Sequence, residues 1–257
     1  VNVSEVAREL HDARVEGRTV ATVTSRFPKV TREEAYDVQA AGIVMREEAG
    51  ETVVGGKLGF TSLAMQQAMG VDSPNYGWLT DTMLVHDRVI RLNELIHPKV
   101  EPEVAFFLGD DLGPEATATD VLAATTAVAP CLEVVDSRYD GFRFLALDNI
   151  ADNSSAGEVV LGDGAADPRG FDLRTCGVVL TVDGEVTFTA AGAAALDDPA
   201  EAVAWMARQV ASTSRSLRAG DMVISGGLTP PFDLAPGTWV RVDIDHVGAA
   251  SFRVTEE

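Results

Sequence analysis

The chain has 257 residues, with 40 Asp and Glu against 20 Lys and Arg, giving a formal charge of −20. That balance excludes a nucleic-acid or anionic-membrane surface, because both require clustered Lys and Arg. A hydrophobic fraction of 46% supports a sizeable core in one large domain or two small ones, and no apolar run reaches the ~18 residues of a membrane span.

The opening run through Arg18 is amphipathic and acidic, unlike a signal peptide. Val3, Val6, Ala7, Leu10 and Ala13 fall at helical spacing and predict a helix over 3–16. A second helix is expected from Thr31, where Glu34 completes a capping box, to Gly50. Thr52–Phe60 reads as a strand whose glycines signal a bulge or a close backbone approach. A short helix is expected over Ser62–Met69, ending at Gly70. Strands then dominate, at 82–91, 101–108, 130–136, 157–161, 175–189, 221–226, 238–245 and 249–254, with a tight hairpin turn at Val182-Asp183-Gly184-Glu185. Helices interrupt them at about 118–127 and at 198–216, where Asp198 is the N-cap and Pro199 takes the first helical position. This order predicts an α+β fold, with a helical N-terminal subdomain over 1–80 carrying Lys57 and a β-rich domain over 81–257. Cys131 and Cys176 lie far apart with no CxxC, which predicts no disulfide scaffold and a reducing, cytoplasmic setting.

Glu101 and Glu103 carry the sharpest chemical signal. Strand alternation puts both on one face, beside the apolar run Val104–Leu108. Two close carboxylates repel, and partial burial adds to the cost. A hard divalent cation such as Mg²⁺ or Mn²⁺ resolves both; a solvated strand edge is the plainer alternative. Pro102 removes a backbone donor and predicts an edge or bulge at this end. Glu133 stands alone among Leu132, Val134 and Val135, so it is either paired, liganded or turned outward. Asp136 and Arg138 follow, as an anion-binding guanidinium near the ion or as a surface pair. The polar loop Ile150–Gly157 can offer hydroxyls and N–H groups to a carboxylate, or be a simple turn. Lysines number three (Lys29, Lys57 and Lys99) in a chain that otherwise takes its positive charge from Arg. A lysine kept against that bias suits a task Arg cannot do, such as giving up a proton; genomic drift explains the same bias. Gly55-Gly56-Lys57 is not a phosphate loop, and no nucleophile elbow or HExxH is present.

Five stretches taken together resemble a known family. They are Gly56-Lys57-Leu58-Gly59-Phe60-Thr61-Ser62, Tyr76-Gly77-Trp78-Leu79-Thr80-Asp81, Glu101-Pro102-Glu103, Leu132–Arg138 and Ala151–Ser155. They look like the hydratase/decarboxylase family within the fumarylacetoacetate hydrolase superfamily, in order, from about residue 5 to residue 254. The resemblance implies a mixed β-roll with a helical N-terminal part. It implies Glu101, Glu103 and Glu133 as Mg²⁺ ligands, with Mn²⁺ an acceptable substitute, and Lys57 as the active-site lysine. Ser154 and Arg138 become candidates for substrate-carboxylate contacts or for the shell behind them. It also implies homo-oligomers and, for its decarboxylases, association with a partner hydratase.

Three stretches lean toward the decarboxylases: Arg8 through Tyr36, Leu95–Glu103 and Asp136–Phe144. Hydratases of the family usually carry Asp where this chain has Asn75, a position counted here with the substrate-binding residues, and an amide cannot act as a base. The implied activity is therefore Mg²⁺-dependent decarboxylation of 2-oxo-3-hexenedioate (4-oxalocrotonate) to 2-hydroxypenta-2,4-dienoate and CO₂ in aromatic meta-cleavage catabolism. A 2-keto-4-pentenoate hydratase is the alternative. A non-catalytic scaffold subunit is a further one, against which the intact Glu101/Glu103/Glu133/Lys57 set argues.

Overall fold

The structure, a computed structural model, describes residues 1–63, 66–67 and 71–257. The helix expected over Ser62–Met69 falls largely outside the described residues. At the N-terminus, α1 (Val3–Glu16) starts where the Asn2 side chain accepts from Glu5 N–H and stops at Gly17, whose φ of 64° suits a residue without a Cβ. A single turn, α2 (Val23–Arg26), precedes α3 (Arg32–Glu48), which opens with the Thr31/Glu34 capping box. These helices pack with α5 (Ala146–Ala151) around Val6, Leu10, Val38, Tyr139 and Ile150, a cluster separate from the main core.

The larger sheet contains β1 (Val53–Gly59), β2 (Asn75–Thr80), β4 (Lys99–Leu108), β5 (Thr125–Val135), β6 (Ala156–Leu161) and β9 (Met222–Ile224). Its order is β2-β1-β9-β4-β5-β6, with β10 (Phe232–Asp233) pairing on β4. The backbone hydrogen bonds of this sheet therefore run from residues 53–80 directly into the strands beyond residue 81. A second, five-stranded sheet has the order β3-β12-β11-β7-β8, formed by β3 (Val89–Arg91), β7 (Gly177–Val182), β8 (Glu185–Ala191), β11 (Trp239–Ile244) and β12 (Gly248–Thr255). The main core combines Phe106, Leu132 and Val223 of the first sheet with Leu180, Val240 and Phe252 of the second. The helix α4 (Ala118–Ala124) and the C-terminal helix α6 (Pro199–Val210) pack into the same core. Both cysteines are buried and free. Among the described residues no helix is long and apolar enough to cross a membrane.

Two expectations need correction, and one strand went unpredicted. The strand expected over 82–91 shrinks to β3, because Asp81 accepts from Thr52 and Thr82 N–H and opens a 3₁₀ turn, and Arg88 takes a φ of 59°. The last helix ends at Val210 rather than 216, where the Thr213 hydroxyl bonds the Val210 carbonyl at 2.8 Å and offers the backbone an alternative to another turn. Strand β2 has no polar–apolar alternation to reveal it, since all six of its residues are buried.

Candidate metal and substrate site

Strands β4 and β5 pair antiparallel with Glu101 opposite Glu133 and Glu103 opposite Cys131. Like charges directly across a sheet destabilise it. Here one carboxylate oxygen from each of Glu101, Glu103 and Glu133 lies within 4.8 Å of the others. Glu103 and Glu133 are fully buried, and Glu101 is half-buried at the edge. Burial first, and the Glu133 charge second, push the Glu101 carboxyl up to about 7 and Glu103 well above the usual carboxylate range. Burial raises Glu133 too, although Lys57 opposes it.

Glu103 Oε2 accepts from Gly226 N–H at 2.7 Å, but its Oε1 and Glu133 Oε2 are buried with no hydrogen-bond partner among the described residues. Orphaned, converging carboxylate oxygens are what a hard divalent cation satisfies, so the donor set fits such an ion. The Pro102 carbonyl accepts from Leu228 N–H, so its missing donor faces the gap between the β9 and β10 pairings. The strand is a local edge there. At Gly227 a Cβ would stand 2.9 Å from Glu101 Cδ, so only glycine leaves that carboxylate accessible.

Lys57, on β1, is 2% exposed. Its Nζ lies 3.1 Å from Glu133 Oε1 and donates to the Ser154 carbonyl at 2.8 Å and the Ser154 hydroxyl at 3.3 Å. Asn153, Ser154 and Ser155 take φ values of 51°, 54° and 54°, three successive left-handed residues that turn the Ser154 carbonyl toward the lysine. Asn153 anchors the turn by bonding Trp78 N–H and Trp78 O of β2 through its side chain. The Ser154 hydroxyl donates to Asn75 Oδ1 at 2.9 Å, Asn75 Nδ2 donates to Asn149 Oδ1 at 2.6 Å, and Asn149 Nδ2 donates to Ser155 Oγ at 2.9 Å. Gly59 gives this network room, since a Cβ there would meet Asn75 Oδ1 at 2.3 Å.

A cleft of about 260 Å³ opens over Lys57 and Glu101, walled by Phe60, Phe142 and Phe144, with Asn149, Ser154 and Ser155 at its polar side. Lys99 also lines it, and was not singled out from sequence. The signal was available: Lys99 sits two residues before Glu101 and therefore on the same strand face. Its Nζ pairs with the exposed Asp233 at 2.6 Å and rests over the Phe142 ring.

Two sequence candidates stand apart from the cleft wall. Asn75 is buried behind Ser154 and reaches the cleft through it. Arg138 is 4% exposed and not a surface residue. Its guanidinium is spent on the Asp152 carboxylate and on the carbonyls of Asp136, Asp152 and Ala156. It braces the loop that carries Ser154, while burial lifts the Asp152 carboxyl to about 6 against the pull of Arg138. Asp136 is not its side-chain partner, and instead accepts from Ile96 and His97 N–H.

Three converging carboxylates beside a buried lysine, set on a curled sheet under a half-open cleft, define a metal-dependent enzyme of the fumarylacetoacetate hydrolase fold. The profile of the "Fumarylacetoacetate (FAA) hydrolase C-terminal" family matches residues 52–255, and the chain belongs to that family. It is 40% identical over 247 residues to 2-keto-4-pentenoate hydratase of Paraburkholderia xenovorans (strain LB400), covering 95% of this chain and 92% of the relative. It is 38% identical over 253 residues to 4-oxalocrotonate decarboxylase of Pseudomonas sp. (strain CF600), covering 98% and 96%. The solved 4-oxalocrotonate decarboxylase from Pseudomonas putida G7, complexed with magnesium and adipate, superposes with a TM-score of 0.93 at 38% identity, covering 98% of this chain and 97% of that one.

Proposed function

We propose that the chain is a magnesium-dependent 4-oxalocrotonate decarboxylase, converting 2-oxo-3-hexenedioate to 2-hydroxypenta-2,4-dienoate and CO₂ in the catabolism of aromatic compounds. The observation that carries this is a cleft that sets a second lysine, Lys99, beside Lys57 and Glu101, a cation for the distal carboxylate of a dicarboxylate substrate. The likeness to a decarboxylase holding magnesium and a dicarboxylate supports it.

Glu101, Glu103 and Glu133 would hold the cation, which supplies Lewis-acid stabilisation of charge developing on the 2-oxo group. In the substrate the C5–C6 bond breaks and its electron pair forms the C4–C5 double bond. The C3–C4 pair moves to C2–C3, and the C2 oxygen takes the charge. Lys57 delivers a proton to that oxygen, held on station by the Ser154 carbonyl and Glu133. Lys99 draws in the distal carboxylate against the protein's overall negative charge. Phe60, Phe142 and Phe144 set an apolar wall beside that carboxylate, a surface that favours its departure as neutral CO₂. Asn75 offers no base for adding water, since its carbonyl and amide are committed to Ser154 and Asn149. Self-association and hand-over of the dienol to a partner hydratase belong to the same proposal; Val15 and Val44 on the helical layer are exposed apolar side chains suited to such contacts.

The 40% identity to a hydratase keeps dienol hydration as the second possibility, with the same cation and Lys57. The test is CO₂ release from 2-oxo-3-hexenedioate with Mg²⁺, beside consumption of 2-hydroxypenta-2,4-dienoate. CO₂ release with the dienol left intact is the expected outcome; dienol consumption without CO₂ makes the chain a hydratase.

A further inference from the structure

Behind the Asp152–Ala156 loop, on the side away from the cleft, lies a second cavity of about 50 Å³. A buried water needs roughly 10–15 Å³ on this measure, so there is space for several waters or one small ion. Arg14 of α1, Arg46 of α3 and Arg138 of the loop converge on it from three separate elements. Only two carboxylates answer them among the described residues. Asp152 is spent on Arg138. Glu51 is shared: Arg14 reaches its Oε1 at 3.2 Å, while Arg46 Nε stays 3.4 Å from Oε2, which already accepts from the Thr80 and Thr82 hydroxyls. Arg46 is 5% exposed, and its buried Nε has no hydrogen-bond partner among the described residues; Arg14 Nε is in the same state. Burial, reinforced by the Arg14 charge, pushes the Arg46 guanidinium down to about 9. A surplus positive charge thus lines a half-open pocket of a strongly acidic protein.

We infer that this cavity is a binding site for one small monovalent anion, of the size of chloride or formate, held by Arg14 and Arg46. The pocket is half-open, and its accessible space of about 50 Å³ suits a small anion seated between the two forked guanidiniums. The site shares no residue with the three carboxylates or with Lys57. It shares the Asp152–Ala156 loop with the cleft, so an occupant would buttress the turn on which Lys57 rests.

The test is thermal unfolding of the full chain at constant ionic strength, replacing gluconate by chloride or formate. Binding to the folded state alone predicts a rise in Tm of about 3–6 °C at tenfold excess over the dissociation constant, growing with the logarithm of anion concentration beyond it. Arg46→Gln removes one of the two guanidiniums that share Glu51 and leaves that carboxylate to Arg14, so it should melt close to wild type in gluconate and lose the chloride response. Gly42, whose Cβ position faces open space on the cavity wall, supplies a second variant: Gly42→Leu fills the void without touching a charge and should also abolish the response. Equal Tm values in all three anions, or a chloride response that survives both substitutions, would overturn the assignment and leave the cavity to water.

Discussion

The two faces of the Asp152–Ala156 loop bury opposite charge. On one face three carboxylates outnumber Lys57; on the other, three arginines outnumber two carboxylates. The acidic face is built from adjacent strands in register, so its geometry follows from the sheet ladder itself. The basic face is assembled from two helices and a loop, and depends on how the helical layer packs on the sheet. Excess charge is costly to bury in either case, which marks both faces as places completed by something of opposite sign.

Arg138 stands between the two faces, and its removal gives the largest effect expected. Arg138→Met strips the partner from a fully buried Asp152 and leaves three carbonyls without their donor. A loss of about 3–5 kcal/mol in urea unfolding is expected, the range for breaking a buried pair from one side. Stability within ~1 kcal/mol of wild type would mean that the loop holds itself and that the two faces are not joined through this residue.

Next in size is Lys57→Met, which should lower turnover more than about 10²-fold, the scale of one positioned proton donor, while Mg²⁺ titration still saturates. Turnover near wild type would detach the lysine from the chemistry and leave it as a counter-charge to Glu133. A smaller effect belongs to Lys99→Met. A rise in KM of about 10-fold is expected with kcat changed far less, because a half-exposed ion pair steers and holds the substrate more than it stabilises the transition state. The same substitution should leave binding of a monocarboxylate inhibitor unchanged; equal weakening of mono- and dicarboxylates would remove Lys99 from recognition of the distal group.

The acidic face was the legible one. Strand period two placed Glu101 and Glu103 together and an isolated Glu in an apolar strand flagged Glu133, while the family resemblance was what joined the three. Rarity drew notice to all three lysines alike, and the family resemblance singled out Lys57 among them. The basic face was not readable, because Arg14, Arg46 and Arg138 share no periodicity and meet only through helix packing. Arg138 was expected at the substrate or in the shell behind it; a sequence shows a charge and not its partners, so it could not decide between the two. The three left-handed residues at 153–155 were hidden for a related reason: Asn and Ser tolerate that conformation without requiring it. Among the strands, β4, β5 and β12 announced themselves by long β-prone runs, whereas β2 is buried on both faces and so carries no alternation.

Glu158 of β6 tests whether uncompensated burial is costly where no ligand completes it. Its side chain is half-buried, with Oε2 lacking a hydrogen-bond partner among the described residues. Burial first, and the Glu94 charge second, push its carboxyl up to about 7. The folded state therefore holds a proton that the unfolded state has already lost across pH 4.5 to about 7. Stability contributed by that proton is complete below this window and disappears as pH rises through it. Glu158→Gln keeps the shape and removes the titration. The variant should be more stable than wild type at pH 8 by about 1 kcal/mol, a figure reduced for partial exposure, and no more stable at pH 4. A gain at pH 8 unaffected by added Mg²⁺ would place Glu158 outside the cation's reach. Equal stability of the two proteins at pH 8 would mean that burying this carboxylate costs nothing.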